Sequence, residues 1–395
     1  MMRFPARRRA MFWAMLGVHA ILVQAISYAI RPALSYAVLE LGYGPVWLAT
    51  MTAAFALPPL LLALTTGRLV DRVGERPGMV LGGLALTGSS LLAYFGAGQL
   101  VALIAATGLL GVGIIFSMVG EQSAVAGQAG QRGMDSAFGI YTFITSLGQG
   151  VGPLLLLIPP TPGTLSPPLA PIAAVCALAG LGIVATSLGF GSYRRTVPEP
   201  EAPARRWPAR RLIALPGMWR ALLVSGLILA SIDVTLAYLP ALVHGRGIAP
   251  VWLTAMLGAR AVAQMLSRIN LGRLTRVFGR RRLTITACAA SALALCGLTL
   301  PVPVAVLVGL AATYGFVAGV CQPMTMGWVA QLAPRGTRGT VLSLRLAGNR
   351  VAQTVIPALS GAAAAAGGVS GVLVLTGATL GVAAWSAAAI PHSDS

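Results

Sequence analysis

The sequence predicts an all-α integral membrane protein with twelve transmembrane helices arranged as two six-helix bundles. Three features predict this fold: the composition is strongly apolar, arginines cluster at alternate ends of the apolar stretches, and the first half of the chain recurs in the second. Of the 395 residues, 56% are hydrophobic and only 9% are charged. Soluble domains carry about 25% charged residues, whereas a bilayer accommodates a chain as apolar as this one.

Apolar stretches of about 20 residues, the length that crosses a bilayer as a helix, follow one another along the chain. The predicted spans are 11–39, 45–66, 78–97, 99–126, 136–158, 169–190, 217–243, 250–271, 283–300, 302–331, 339–364 and 370–390. A polar stretch rich in proline and arginine, 192–216, divides them six and six. We therefore expect an N-terminal bundle over 1–191, a cytoplasmic linker over 192–216 and a C-terminal bundle over 217–395.

The distribution of arginine predicts the orientation. All 28 basic residues are arginine, and most lie before the first span or in the connections after every second span. The opposite connections hold Arg246 and, at the edge of the first span, Arg31. By the positive-inside rule both termini are cytoplasmic, in a cell inner or plasma membrane. The net charge of +19 does not indicate nucleic-acid binding, because these arginines lie between apolar stretches and not on one polar face.

An internal repeat relates the two halves. Two pairs of short segments share an offset of 205 residues, and a third pair has an offset of 204. The pairs are Pro45–Leu48 with Pro250–Leu253, Gly67–Gly74 with Gly272–Gly279, and Gln149–Pro153 with Gln353–Pro357. Such a repeat indicates two bundles of the same orientation, and transporters bind their substrates between halves of this kind, near the bilayer midplane.

The segment Gly67–Arg76, GRLVDRVGER, lies between the second and third predicted spans. It resembles the cytoplasmic loop signature of the major facilitator superfamily, glycine-x-leucine-x-aspartate-arginine-x-glycine followed by basic residues. Glycines such as Gly67 and Gly74 permit a tight reversal between helices. The resemblance implies that Asp71, with Arg72 and Arg76 as charge partners, bridges the two halves on the inner side and stabilises the outward-open state.

The match has departures. Glu75 stands where the family usually has a basic residue, and Arg276 replaces the aspartate in the second copy. The fourth-span motif of the family's proton-coupled drug exporters centres on an arginine, and Thr107 stands at that position. The resemblance therefore implies the superfamily and leaves the subfamily open.

A second pattern lies in the fifth predicted span and resembles the fifth-span motif of the family's antiporters. It consists of Gly139, Gly148, Gly152 and Pro153. Small residues at four-residue spacing let helices approach closely, and Pro153 can kink the helix. The same pattern is also typical of ordinary small-residue packing, and Leu156 and Leu157 stand where the family has a glycine pair.

Several polar residues fall inside the predicted spans, where ionisable groups are costly and usually face a cavity or a partner. The candidates for substrate or proton binding are Asp233, Arg260, Arg350, Arg31, Glu121, Gln149, Gln353 and Asn349, with His19, Arg268 and Arg345 as further charged positions. Structural ion pairs, helix–helix hydrogen bonds and snorkelling to the interface are the alternatives for each.

Arginines outnumber carboxylates in these spans, so we expect an anionic or acid-bearing substrate held by Arg260 and Arg350. The predicted function is secondary transport of a small organic solute, coupled to protons, by a monomer that needs no cofactor and no metal. The alternatives are a proton-driven efflux pump for cationic compounds and, in another class, a channel or membrane receptor. Neither a metal or acid–base constellation of an enzyme nor a phosphate-binding loop for ATP is found in the sequence.

Overall fold

The structure, a computed structural model, describes residues 6–159, 166–190, 208–332 and 338–388, and within these ranges it omits the side chains of 6–9, 63–64, 71, 127–136, 330–331, 338–340 and 342–343. All regular structure in the described residues is helical. The α-helices are α1 Ala6–Glu40, α2 Val46–Val73, α3 Glu75–Phe95, α4 Leu100–Val151, α5 Leu169–Gly189, α6 Ala209–Ile213, α7 Met218–Gly245, α8 Pro250–Ile269, α9 Leu271–Phe278, α10 Arg280–Gly297, α11 Val304–Leu332 and α12 Arg338–Ala388, and a 3-10 helix over Gly152–Leu157 follows α4.

Two of these helices each contain two predicted spans. In α12 the backbone leaves the helical region at Gly367 and at Gly368, which has φ 58°. In α4 the Tyr141 hydroxyl donates a hydrogen bond of 2.7 Å to Glu121 Oε2. Twenty residues of continuous helix would hold these two residues about 30 Å apart. The chain therefore reverses direction between Glu121 and Tyr141, as a hairpin of two spans requires.

Eight helical stretches of the described chain are long and apolar enough to cross a membrane. Four cases account for the difference from the twelve predicted spans. The stretch Leu344–Ala388 is one of the eight but contains both halves of α12. The apolar part of α2 is short, Val46–Leu62. Finally, α8 contains Arg260 and Arg268, and α10 begins with three consecutive arginines, so both are less apolar.

The chain separates into two compact units. The first comprises Met1–Gly42, Ala54–Thr196 and Ala249–Thr254, and the second comprises Tyr43–Ala53, Val197–Ile248 and Ala255–Ser395. The first part of the predicted linker, 192–207, lies outside the described residues. The predicted bundle boundaries remain a prediction.

The internal repeat is visible in the backbone. Gly42 (φ 81°) and Gly247 (φ 61°) precede α2 and α8, and Gly74 (φ 90°) and Gly279 (φ 71°) precede α3 and α10. Both pairs have the 205-residue offset of the sequence repeat. Positive φ is readily adopted by glycine alone among the common residues, so the same joints are built in the same way in both units.

Close packing of α1 against the second half of α4 organises the first unit. A Cβ at Gly148 would lie 2.5 Å from the Ile21 carbonyl oxygen and 2.7 Å from Gln24 Cβ, and one at Gly152 would lie 2.5 Å from the Ala25 carbonyl oxygen. Gly139, the first glycine of the same motif, has nothing within 4 Å of its Cβ position. Pro153 lies at the start of the 3-10 helix that ends the span. Gly148 and Gly152 therefore allow the contact, and Gly139 does not take part in it.

In the second unit, α8 and α11 approach each other in the same manner. A Cβ at Gly315 would overlap the Arg260 backbone, and one at Gly319 would overlap the Ser267 side chain and the Gln264 backbone. These glycines allow α11 to approach α8 closely beside Arg260 and Gln264, because any larger residue would push the two helices apart.

The packing at Gly148 predicts the effect of a single methyl group. We expect Gly148→Ala to destabilise the protein by about 1–3 kcal/mol, the usual cost of overpacking, measured as a lower midpoint of thermal unfolding in detergent. Gly139→Ala is the matched control, since its Cβ meets nothing and alanine favours a helix. Equal midpoints for the two variants would contradict the packing role of Gly148.

Candidate functional site

A chain of hydrogen bonds joins α7 to α12 in the second unit. Gln353 Nε2 donates to Asp233 Oδ2 over 2.7 Å, and Arg350 NH1 donates to Gln353 Oε1 over 3.1 Å. Asp233 and Gln353 are buried. The Gln353 amide is therefore held between a carboxylate and a guanidinium. Three of the residues that the sequence singled out separately are thus brought together.

Two other predicted residues are buried in this unit, Asn349 on α12 and Arg260 on α8. Asn349 lies one turn before Gln353 on α12, and its Oδ1 has no hydrogen-bond partner among the described residues. Arg260, on α8, is 1% exposed and is the largest fully buried side chain of the described residues. The α11 hydroxyl of Tyr314 lies 2.8 Å from the hydroxyl of Ser231, which is two residues before Asp233 on α7. This part of the unit is therefore polar although its helices are mainly apolar.

A second polar group joins α8, α11 and α12. Arg268 NH2 donates to Gln322 Oε1 over 2.7 Å. Arg345 NH2 lies 3.4 Å from both the Gln322 carbonyl oxygen and the Thr325 hydroxyl. Arg345 is 8% exposed, and its Nε has no hydrogen-bond partner in the described part of the chain. Two arginines thus converge on one neutral residue, Gln322.

The charges of these helices are unbalanced. Among the described residues of the second unit, Asp233 is the one carboxylate, whereas Arg260, Arg268, Arg345 and Arg350 all lie within its spans. The oxygens that Arg268, Arg345 and Arg350 meet in the hydrogen bonds above belong to amides, a carbonyl and a hydroxyl. Neutral acceptors solvate a guanidinium without cancelling its charge, so this unit carries net positive charge at membrane depth.

The first unit contains a different buried group. His19 Nδ1 lies 2.7 Å from Glu121 Oε1, and Tyr141 donates to the other carboxylate oxygen, Oε2, over 2.7 Å. Glu121 and His19 are each 0% exposed, and Tyr141 is buried as well. Glu121 and His19 were predicted from the sequence, whereas Tyr141 was not. Positions 121 and 141 both lie ten residues from position 131, the middle of the predicted connection. In a helical hairpin, residues at equal distances from the turn lie at the same level of the two helices, so this symmetry would have predicted the contact.

The repeat-equivalent glutamines have similar partners. Gln149 donates to Gln24 Oε1 on α1 over 3.3 Å, as Gln353 donates to Asp233 on α7. Each glutamine therefore hydrogen-bonds the first long helix of its own unit. Arg31, predicted near the end of the first span, is buried with its guanidinium 3.9 Å from the centre of the Phe55 ring, which is the geometry of a cation–π contact.

The predicted loop signature is largely helical, which corrects the expected span boundary. Helix α2 continues through Gly67 to Val73, and Gly74 alone separates it from α3. No proline interrupts this segment, and leucine, arginine and valine extend the helix. Arg72 is exposed and Arg76 is half-buried. The Asp71 side chain lies outside the described residues, so its gating role remains a prediction.

No group of three or more His, Cys, Asp or Glu side chains with the arrangement of a metal site occurs in the described ranges.

The comparisons with solved structures agree on the fold. A nucleoside transporter, NupG in a single-substitution mutant form, matches with 11% identity over 96% of this chain and 100% of its own, at a TM-score of 0.77. A D-xylose–proton symporter matches with 15% identity over 95% and 96% of the two chains, at a TM-score of 0.72.

No curated protein matches the sequence. The family model described as Major Facilitator Superfamily matches residues 16–341 and again 239–394. Its members are multi-pass membrane proteins that transport small molecules and are not enzymes, so the predicted fold class, the membrane location and the transport function are confirmed. The chain belongs to the major facilitator superfamily and is a secondary transporter.

Proposed function

We propose that this transporter moves an anionic or acid-bearing organic solute across the cell inner or plasma membrane, coupled to protons, by alternating access. The termini are cytoplasmic in this proposal, as the arginine distribution indicates. The observation that carries it is the excess of arginine over carboxylate within the spans of the second unit. Each charged side chain at membrane depth costs about 2.5–3.5 kcal/mol on insertion scales, and a substrate with a negative charge offsets part of that cost.

Gln353 suggests how the solute is held. Its Oε1 is a neutral acceptor for Arg350, while its Nε2 is bound to Asp233. The bond between Arg350 and Gln353 has one charged partner, and a carboxylate in place of Oε1 would add the Coulomb attraction of an opposite charge. A substrate carboxylate that replaces Oε1 at Arg350 therefore gains stability, and a guanidinium can grip it with two parallel bonds. Asn349 lies one turn away and offers an amide for a further polar group of the solute.

Arg260 is the second arginine of the proposed binding group. It is buried on α8, and the contact of Gly315 with its backbone fixes its position. Arg268 follows Arg260 by 8 residues on α8, and Arg345 precedes Arg350 by 5 residues on α12. We infer that this second pair attracts the anion toward the first, because successive positive groups lower the electrostatic barrier along a path.

The runner-up function, efflux of cationic compounds, places substrate near carboxylates. Asp233 is the one candidate in the described second unit, and Gln353 already binds it. A cation at Asp233 would lie close to Arg350, since Gln353 bridges the two, and like charges repel at such distances. These contacts support the anionic class over the cationic one.

A ligand screen tests the substrate class. We expect organic acids or acidic amino-acid derivatives to raise the midpoint of thermal unfolding of the purified full chain at constant pH and salt. At a hundredfold excess of ligand over its Kd, the free energy of unfolding increases by about 2.7 kcal/mol. Stabilisation by cationic compounds and not by acids would overturn the anionic class and favour the efflux function.

Substitution of the arginines tests the site. With the acid that the screen selects, we expect Arg350→Gln and Arg260→Gln each to reduce counterflow exchange in proteoliposomes about 10- to 100-fold, the equivalent of one lost charged hydrogen bond. Arg276→Gln is the matched control, because Arg276 is an exposed arginine on α9 of the same unit. If both buried arginines could be replaced without loss of exchange, the proposed site would be wrong.

The same assay separates a carrier from a channel. A carrier exchanges labelled solute against unlabelled solute without net flux, whereas a channel cannot. We therefore expect transient accumulation of label in preloaded vesicles. Efflux of label down its gradient without accumulation would instead indicate a channel.

A further inference from the structure

We propose that His19, Glu121 and Tyr141 form a proton-binding site inside the first unit, separate from the arginines of the second. The inference deepens the proposed function, since it names where a proton-coupled transporter of this sequence holds its proton. It is carried by the geometry of the three side chains and by the one polar atom that they leave without a partner among the described residues.

Both oxygens of Glu121 are engaged. Oε1 lies 2.7 Å from His19 Nδ1, and Oε2 accepts the Tyr141 hydroxyl proton at 2.7 Å. The carboxylate is thus fixed by two helices, α1 on one side and the second half of α4 on the other. The 2.7 Å contact between the Glu121 carboxylate and the His19 imidazole joins two groups that can each carry a proton, so a proton can be shared between them.

His19 Nε2 is the open position of this group. It is fully buried and has no hydrogen-bond partner within the described ranges. A buried polar atom without a partner costs about 1–3 kcal/mol, and an apolar residue in place of His19 would avoid that cost. We infer that Nε2 is the atom through which the proton enters and leaves when a conformational change exposes it to water.

The surroundings of the group are apolar. Tyr141 belongs to a hydrophobic cluster with Leu16, Ala20, Met79, Val125, Ala137 and Phe190, and Phe12, Trp13, Phe138 and Ile144 pack against this cluster. From α3, which contributes Met79, Glu75 is the nearest titratable residue along the chain, one turn earlier. In α1 the next titratable side chain of the described residues after His19 is Tyr28, more than two turns away, and Phe190 at the end of α5 is not titratable.

The proton balance follows from the two charge states. With Glu121 ionised and His19 neutral, the group has a charge of −1, and Nδ1–H donates to Oε1. One proton added at Nε2, with transfer of the Nδ1 proton to Oε1 along the 2.7 Å bond, gives a neutral imidazole beside a protonated carboxyl group, with a net charge of zero. A closed apolar site favours the neutral pair, because net charge is costly to bury. The loaded form therefore suits the closed arrangement described here, and release requires access of water to Nε2.

Infrared difference spectroscopy tests the site without a substrate. The full chain in liposomes of uncharged lipid is titrated with acid and base while the stretching band of protonated carboxyl groups is recorded. We expect a titrating band from a buried carboxyl group that is lost in Glu121→Gln. In His19→Gln the band no longer titrates as in the unmodified chain, because the imidazole that passes the proton to Oε1 is lost. In Tyr141→Phe the band moves to higher frequency, since the carboxyl group loses a hydrogen bond.

Glu40→Gln provides the control, because Glu40 is an exposed carboxylate at the end of α1, and its replacement leaves the buried band in place. Circular dichroism shows whether each variant is folded. If folded Glu121→Gln keeps the same buried band as the unmodified chain, or if His19→Gln and Tyr141→Phe both leave the band unchanged, the site does not bind a proton as proposed. Failure of this site and failure of the proposed function are distinguishable. If solute uptake does not depend on a pH gradient, proton coupling of transport is wrong even when the infrared band of Glu121 is observed.

Discussion

A charge buried between membrane-spanning helices must be met by an opposite charge or by well-placed hydrogen bonds, and the polar architecture of this protein depends on how that constraint is satisfied. In the first unit it is satisfied locally, because Glu121 has an imidazole and a phenol as partners. In the second unit, Arg268, Arg345 and Arg350 each have a neutral residue within hydrogen-bond distance. Gln353, Gln322 and Thr325 hold arginine side chains without cancelling their charge. The buried carboxylate of the first unit thus has two hydrogen-bonding partners, whereas arginines outnumber the one described carboxylate in the second unit.

The duplicated frame makes this difference informative. The positive-φ glycines before α2 and α8, and before α3 and α10, recur at one offset, so both units have the same joints. Gln149 and Gln353 also reach the first long helix of their own units. The partner differs, however: it is the neutral Gln24 in one unit and the charged Asp233 in the other. The frame has been retained while the polar side chains have diverged, which is the pattern expected when two halves of a transporter take on different tasks.

Much of this arrangement could be predicted from the sequence, for reasons that are physical. Apolar length determines where a chain crosses a bilayer, so the predicted spans fall within helices over their described residues, apart from a few residues at their ends. The repeat placed Gln149 and Gln353 in equivalent positions. Helix ends were predicted less well, because α2 runs through the glycine signature to Val73 with nothing to stop it before Gly74.

Side-chain partners were the least predictable. The link between Glu121 and Tyr141 depends on the register of a hairpin, and the link from Asp233 through Gln353 to Arg350 depends on the rotation of α7 against α12. A hydropathy pattern constrains neither quantity closely. The contact of Arg31 with Phe55 was missed for the same reason, since it joins α1 to α2 through an aromatic ring that looks like any other apolar residue in the sequence.

The one-residue joint at Gly74 has a mechanical consequence. Two Cα–Cα steps separate Val73 from Glu75, so the facing ends of α2 and α3 can never be more than about 7 Å apart. Gly279 sets the same limit between α9 and α10. A displacement of the end of one helix is therefore passed to the facing end of its neighbour, while the glycine leaves the angle between the two helices free to change. A spectroscopic label near the end of α2 would report the displacement of α3 as well.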